Sequence, residues 1–287
     1  ANLTIDKGVN LGSGITNNAA IGNFTNNANI TYGGSGSITG NFINASDSTI
    51  TLNDDLILNG NGNAFRNDGT LKGTISNIGA LASFTNTGSI TGLESGNITG
   101  LLSNSNTGII DNLVVDGNVS QMQNAGNIGS LDIQKNLNYS GSGSITKSID
   151  IAQGKTLTAT NGITLNAKSG SVNNEGILAG ILTLKGSSNS VTNSGSITTI
   201  INNADNSSLA NNSNIGSLAV NENLTYNGNG SDRITQALVV AEKKTLTIQN
   251  NGTLSFNSTN GTIGNAGTIE GNLANVKDSI ITNFINS

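Results

Sequence analysis

One pattern recurs along the chain and constrains its fold more than any other feature: apolar-x-Asn-x-Gly-x-aliphatic. It reads Phe65-x-Asn67-x-Gly69-x-Leu71, Phe84-x-Asn86-x-Gly88-x-Ile90 and Met122-x-Asn124-x-Gly126-x-Ile128. It returns as Val172-x-Asn174-x-Gly176-x-Leu178, Val191-x-Asn193-x-Gly195-x-Ile197 and Ile263-x-Asn265-x-Gly267-x-Ile269. Two looser copies are Asn106-x-Gly108-x-Ile110 and Leu209-x-Asn211-x-Ser213-x-Ile215. Asn67, Asn86, Asn106 and Asn124 are spaced by 19, 20 and 18 residues, and Asn174, Asn193 and Asn211 by 19 and 18. Even self-similarity of this kind marks a chain in which each repeat is one unit of a stack.

Within each copy the apolar positions alternate with period two, a strand signal, and no helical period competes with it. Strand–helix–strand units need about 30 residues, so the spacing suits coils of short strands joined by tight turns. The 287 residues include no proline, where average usage is about 5%. A chain committed to strand pairing along its length avoids a residue that cannot donate to the ladder. The expected fold is all-β, a parallel β-helix (β-solenoid) of about 18–20 residues per coil, with residues 1–287 as a single continuous solenoid segment. About 15 coils at a strand spacing of roughly 4.8 Å make a rod about 70 Å long. A longer repeat overlies the short one: NIGSLDIQKNLNYSGSGSIT at 127–146 matches NIGSLAVNENLTYNGNGSDRIT at 214–235, with a two-residue insertion in the second copy. Duplication of a block of several coils, approximately 124–184 and 211–275, explains it.

In such a stack the aliphatic columns bury a narrow core. Phe65/Phe84, Val172/Val191 and Leu71/Ile90 are the expected stacked pairs. Two readings of the recurrent asparagine are open. Asn67, Asn86, Asn106, Asn124, Asn174, Asn193, Asn211 and Asn265 form an amide ladder, each donating to the next coil, or they mark turns, as asparagine and glycine do generally.

Several kinds of chemistry are excluded by composition. The chain has no Cys and no His, so no thiolate, disulfide, His-based triad or His-ligated zinc is available. Its formal charge is −5, against the basic stripe that nucleic acid binding requires. No apolar run is long enough for a membrane-spanning helix. The opening at Ala1, without Met or signal peptide, reads as a processed or excised piece of a longer protein.

Runs such as FTNTGSITGLESGNITG (84–100) and VTNSGSITTIINNA (191–204) resemble the passenger domains of Gram-negative autotransporters, the type V secretion proteins. The nearest likeness is to the vacuolating-cytotoxin-like and adhesin branches. The resemblance implies a right-handed parallel β-helix and export through the protein's own outer-membrane barrel domain. It also implies an extracellular place on the bacterial cell surface and a partner on the host cell surface or matrix, glycans included.

Local motifs offer little chemistry. Ser144-x-x-Lys147 has the spacing of an acyl-transfer pair, but that spacing works on a helix; on a strand an odd separation puts the two side chains on opposite faces. Asp54-Asp55 is the one adjacent acidic pair and reads as a solvated bend or a calcium ligand pair. Gly34/Gly36, Gly141/Gly143 and Gly228/Gly230 never complete a phosphate-binding glycine motif. Tyr32, Tyr139 and Tyr226 share one place in the long repeat, either packing at a coil corner or stacking on sugars. Asp116-Gly-Asn118-Val-Ser120 meets the stricter bacterial glycosylation rule, which makes Asn118 the candidate modified asparagine. The expected function is a non-catalytic, adhesive or scaffolding segment without cofactor or metal. The alternatives are the binding region of a secreted toxin or colonisation factor, and a carbohydrate-active β-helix enzyme.

Overall fold

The computed structural model describes residues 1–249, 252–276 and 278–287. Every regular element among them is a β-strand, and the strand pairs are parallel. The chain is a β-solenoid in which each coil adds short strands to those of the coil before. It divides into two compact units, Ala1–Ser144 and Ile145–Ser287.

In the first unit one column of Cα partners runs Leu3, Phe24, Phe42, Phe65, Phe84, Leu102, Met122 and Tyr139. A coil therefore takes 17 to 23 residues, the extra ones sitting at corners. Facing this column, Ile30, Ile50, Leu71, Ile90, Ile110 and Ile128 follow one another in register. Both columns point inward, and apart from the half-buried Leu3 at the start their members are buried. The strand spacing of about 4.8 Å suits flat rings as well as aliphatic chains. Phe24, Phe42, Phe65 and Phe84 stack with centroids 5.4, 4.7 and 4.2 Å apart and planes within 8°.

The second unit repeats the scheme with mostly aliphatic side chains. Ile149, Val172, Val191, Leu209, Tyr226 and Ile248 form one column. Ile163, Leu182, Ile200, Leu218, Leu238, Ile263 and Phe284 form another. One corner is built alike in three successive coils, where Ser169, Ser188 and Asn206 take φ of 61°, 57° and 55°. These short polar residues tolerate the left-handed region better than bulky ones.

Candidate functional site

The most organised polar feature is a row of amides inside each unit. Every second residue of the Phe24–Asn26 and Phe42–Asn44 strands faces inward, so the asparagine two residues after the aromatic is carried into the core. In the first unit each amide nitrogen donates to the amide oxygen one coil further on: Asn26 to Asn44 (2.9 Å), Asn44 to Asn67, Asn67 to Asn86, Asn86 to Asn104 and Asn104 to Asn124 (each 2.8 Å). All six side chains are fully buried. The second Nδ2 proton also has acceptors: Asn67 and Asn86 reach the carbonyls of Gly69 and Gly88, both at 3.1 Å. A buried amide with its partners in place is stabilising, and one left unmade is costly.

Asn106 is outside this row, on an exposed turn. The position opposite Asn86 is held by Asn104, because Leu102-x-Asn104 supplies the apolar-x-Asn spacing while two extra residues precede Gly108. Asn26 and Asn44 are ladder members that the glycine-anchored pattern passes over. Phe24-x-Asn26 and Phe42-x-Asn44 carry its first half but lack the glycine two residues later.

In the second unit Asn174 donates to Asn193 (2.7 Å) and Asn193 to Asn211 (2.8 Å). Asn265 lies in a different column, opposite Val240 and Asn286, and donates to Asn286 at 2.8 Å. It opens a separate run rather than continuing that of Asn211. The runs have one polarity, nitrogen donating toward the C-terminus. The preceding coil offers Ile151 opposite Asn174 and Val240 opposite Asn265. Hence Asn174 Oδ1 and Asn265 Oδ1 are the two buried side-chain atoms without a hydrogen bond among the described residues.

Each of the three tyrosines accepts from a buried amide, and Tyr139 and Tyr226 terminate the two runs. Asn17, Asn124 and Asn211 donate to the hydroxyl oxygens of Tyr32 (2.8 Å), Tyr139 (3.0 Å) and Tyr226 (3.1 Å). The separation is 15 residues each time. Each ring sits opposite the apolar residue two before its asparagine: Ile15, Met122 and Leu209 respectively. A glycine follows two residues after each tyrosine. At Gly34 (φ 102°) and Gly141 (φ 120°) a Cβ would strike the carbonyl oxygen of Asn17 or Asn124, so the close approach requires glycine. The tyrosines are at most 1% exposed, which places them in the core and away from any sugar-stacking surface. Burial pushes all three phenols above their usual range. Tyr226 is pushed furthest: after burial, the main cause is its bond to Asp232 Oδ2 at 2.6 Å. Asp232 lies in the two-residue insertion of the second long repeat, is fully buried, and also accepts the Gly230 N–H at 2.9 Å.

The remaining candidates stand apart from one another. Ser144 and Lys147 lie on one strand, Ser144–Ile151, with Lys147 exposed. Asp54 and Asp55 are exposed, Asp54 on a bend and Asp55 just after it, and Asp54 Oδ2 accepts the Gly34 N–H at 2.8 Å. Among the described residues no three His, Cys, Asp or Glu side chains gather as a metal site would need, and no helix is long and apolar enough to cross a membrane. Asn118 is exposed, just after a bend at Gly117, its backbone N–H bonded to Asn97 Oδ1 at 2.9 Å, with Asp116 and Ser120 also exposed. Surface depressions are shallow; one of about 430 Å³ is lined by Lys7, Asn10, Asn27, Asn29 and Asp47. Comparison with protein-family models, curated proteins and solved structures finds no match.

Proposed function

We propose that this chain is a passenger segment displayed on, or secreted from, a bacterial surface, working as a non-catalytic β-solenoid scaffold with an adhesive outer face. The observation that supports the reading is the coil-by-coil register fixed from inside by the buried amides. Register inside fixes register outside: Asn173, Thr192 and Ala210 follow one another one strand spacing apart, between the inward Val and Asn columns. A surface of regularly spaced weak contacts suits a long ligand, since linked contacts gain by effective concentration. The partner class is a host cell surface or matrix component, glycans among them. The lack of His and Cys in the sequence and the resemblance to autotransporter passengers favour display over chemistry.

Val172 and Leu209 are two register steps apart, so deleting residues 172–208 from the surface-displayed protein removes two whole coils and keeps the register. Cell or matrix attachment should fall while display stays normal, and substituting Asn173 and Thr192 in the intact fold should reproduce part of the loss. Undiminished attachment in both would contradict adhesion through this face. Turnover of a polysaccharide by the purified chain would contradict the non-catalytic reading.

A further inference from the structure

The sequence holds 51 asparagines, a residue that is chemically labile over long times. Its usual loss begins when the backbone nitrogen of the next residue attacks the side-chain carbonyl carbon. A ring C–N bond forms, the bond to Nδ2 breaks, and ammonia leaves with the proton of the attacking N–H. Water then opens the cyclic imide to aspartate or isoaspartate. The attacking nitrogen must be free, the amide mobile and the next side chain small, ideally glycine.

The ladders deny all three conditions. No ladder asparagine precedes glycine. The backbone N–H groups that follow Asn67, Asn86, Asn104 and Asn193 belong to Asp68, Thr87, Ser105 and Ser194, and each is hydrogen-bonded. Asp68 donates to Asn44 O (2.8 Å), Thr87 to Asn67 O (2.8 Å), Ser105 to Asn86 O (2.9 Å) and Ser194 to Asn174 O (2.8 Å). Their Nδ2 groups are committed as well.

Seven asparagines precede glycine: those at 59, 61, 161, 227, 229, 251 and 260. Asn251 lies outside the described residues. The Gly62, Gly230 and Gly261 N–H groups donate to Ala80 O, Asp232 Oδ1 and Ile280 O, each at 2.9 Å. Gly228 is held in a strand opposite Asn211. Gly60 is buried, and its carbonyl is bonded to Ala80 N. Asn161 differs. Between the pairs Ala159–Gly180 and Ile163–Leu182 its strand has residues 160–162 where the neighbouring coil has Ile181 alone. The surplus forms a bulge, with Asn161 exposed and Gly162 at φ 81°.

We propose that Asn161–Gly162 is a modification site at which the folded protein forms a succinimide and acquires a carboxylate. Residues 145–287 contain eight acidic and eight basic side chains, so the change would give a charge-balanced unit a net negative charge. The test is peptide mapping by mass spectrometry of the folded protein held in mildly alkaline buffer, beside the same chain in denaturant. In the fold the Asn161 peptide should gain aspartyl and isoaspartyl forms several-fold faster than those of Asn59, Asn61, Asn227, Asn229 and Asn260. In denaturant that lead should vanish, and Asn161→Gln should remove the signal in both. Another of these five keeping pace in the fold, or a lead unchanged in denaturant, would overturn the proposal.

Discussion

Asn124 and Asn211 show what a ladder asparagine demands of its neighbour. Each needs an acceptor one coil further on, and where asparagine gives way to glycine a tyrosine hydroxyl supplies it. Tyr226 has a second commitment, donating to buried Asp232. Tyr226→Phe therefore removes partners from two buried groups and should lower stability by about 1–3 kcal/mol in urea unfolding at neutral pH. The raised phenol also sets a pH dependence. A phenol harder to ionise in the fold binds more protons there than in the unfolded chain once the pH passes the ordinary value of about 10. Its stabilisation is complete below that value and is lost as pH rises through it toward the raised folded value. Wild type should lose stability more steeply above that pH than Tyr226→Phe, with Tyr32 and Tyr139 accounting for the residual slope. The same logic applies at the open end of a run. Ile151→Asn places a donor opposite the unsatisfied Asn174 Oδ1, whereas Ile149→Asn faces Val172 and finds none. Ile151→Asn should be the milder by about 1–3 kcal/mol, the cost of one stranded buried group; equal melting of the two would contradict the reading of Asn174 as a first rung.

At the scale of the strand, the alternation of inward and outward positions is what made the fold legible. The Val172–Val191 and Phe65–Phe84 columns follow from spacing alone, and the structure pairs them in register. Val191 is fully buried between Val172 and Leu209. Val191→Asp would put an unpaired charge into a core one side chain thick, with an expected loss of several kcal/mol. Parent-like thermal melting of that variant would mean that the column is misplaced. What spacing did not reveal was where a run changes column. Strands slip against their neighbours at Leu71/Thr74, Ile98/Leu101, Ala159/Ile163 and Leu178/Ile181. Such bulges alter residue counts between columns without altering the motif. Another slip falls at Ile215/Ser217, between Asn211 and Asn265; Asn265 shares the motif of the Asn211 run in sequence but pairs with Val240 and Asn286 in another column. Asn104 was hidden for a related reason: the glycine slid two residues while the apolar anchor Leu102 stayed. The tyrosines' shared place was visible, and so was the constant 15-residue interval to an asparagine, but only the hydrogen bond gives that interval a meaning.

For the molecule as a whole, composition told more about cohesion than about purpose. Without cysteine, with few charges and with three salt bridges among the described residues, holding coil to coil falls to backbone pairing, thin apolar columns and buried amides. The two units differ in charge: residues 1–144 carry nine acidic and four basic side chains, residues 145–287 eight of each, so the net −5 lies in the first. Charge of this kind keeps a repeat protein soluble without determining its fold. The proposed scaffold role rests on the amide ladder as the element that keeps successive coils in step. Two asparagines two residues apart test it most directly, because structure and motif assign them opposite roles. In denaturant unfolding, Asn104→Ala should cost about 1–3 kcal/mol by stranding Asn86 and Asn124, while Asn106→Ala should stay within about 0.5 kcal/mol as an exposed turn position. Equal losses, or a larger loss at Asn106, would contradict the ladder.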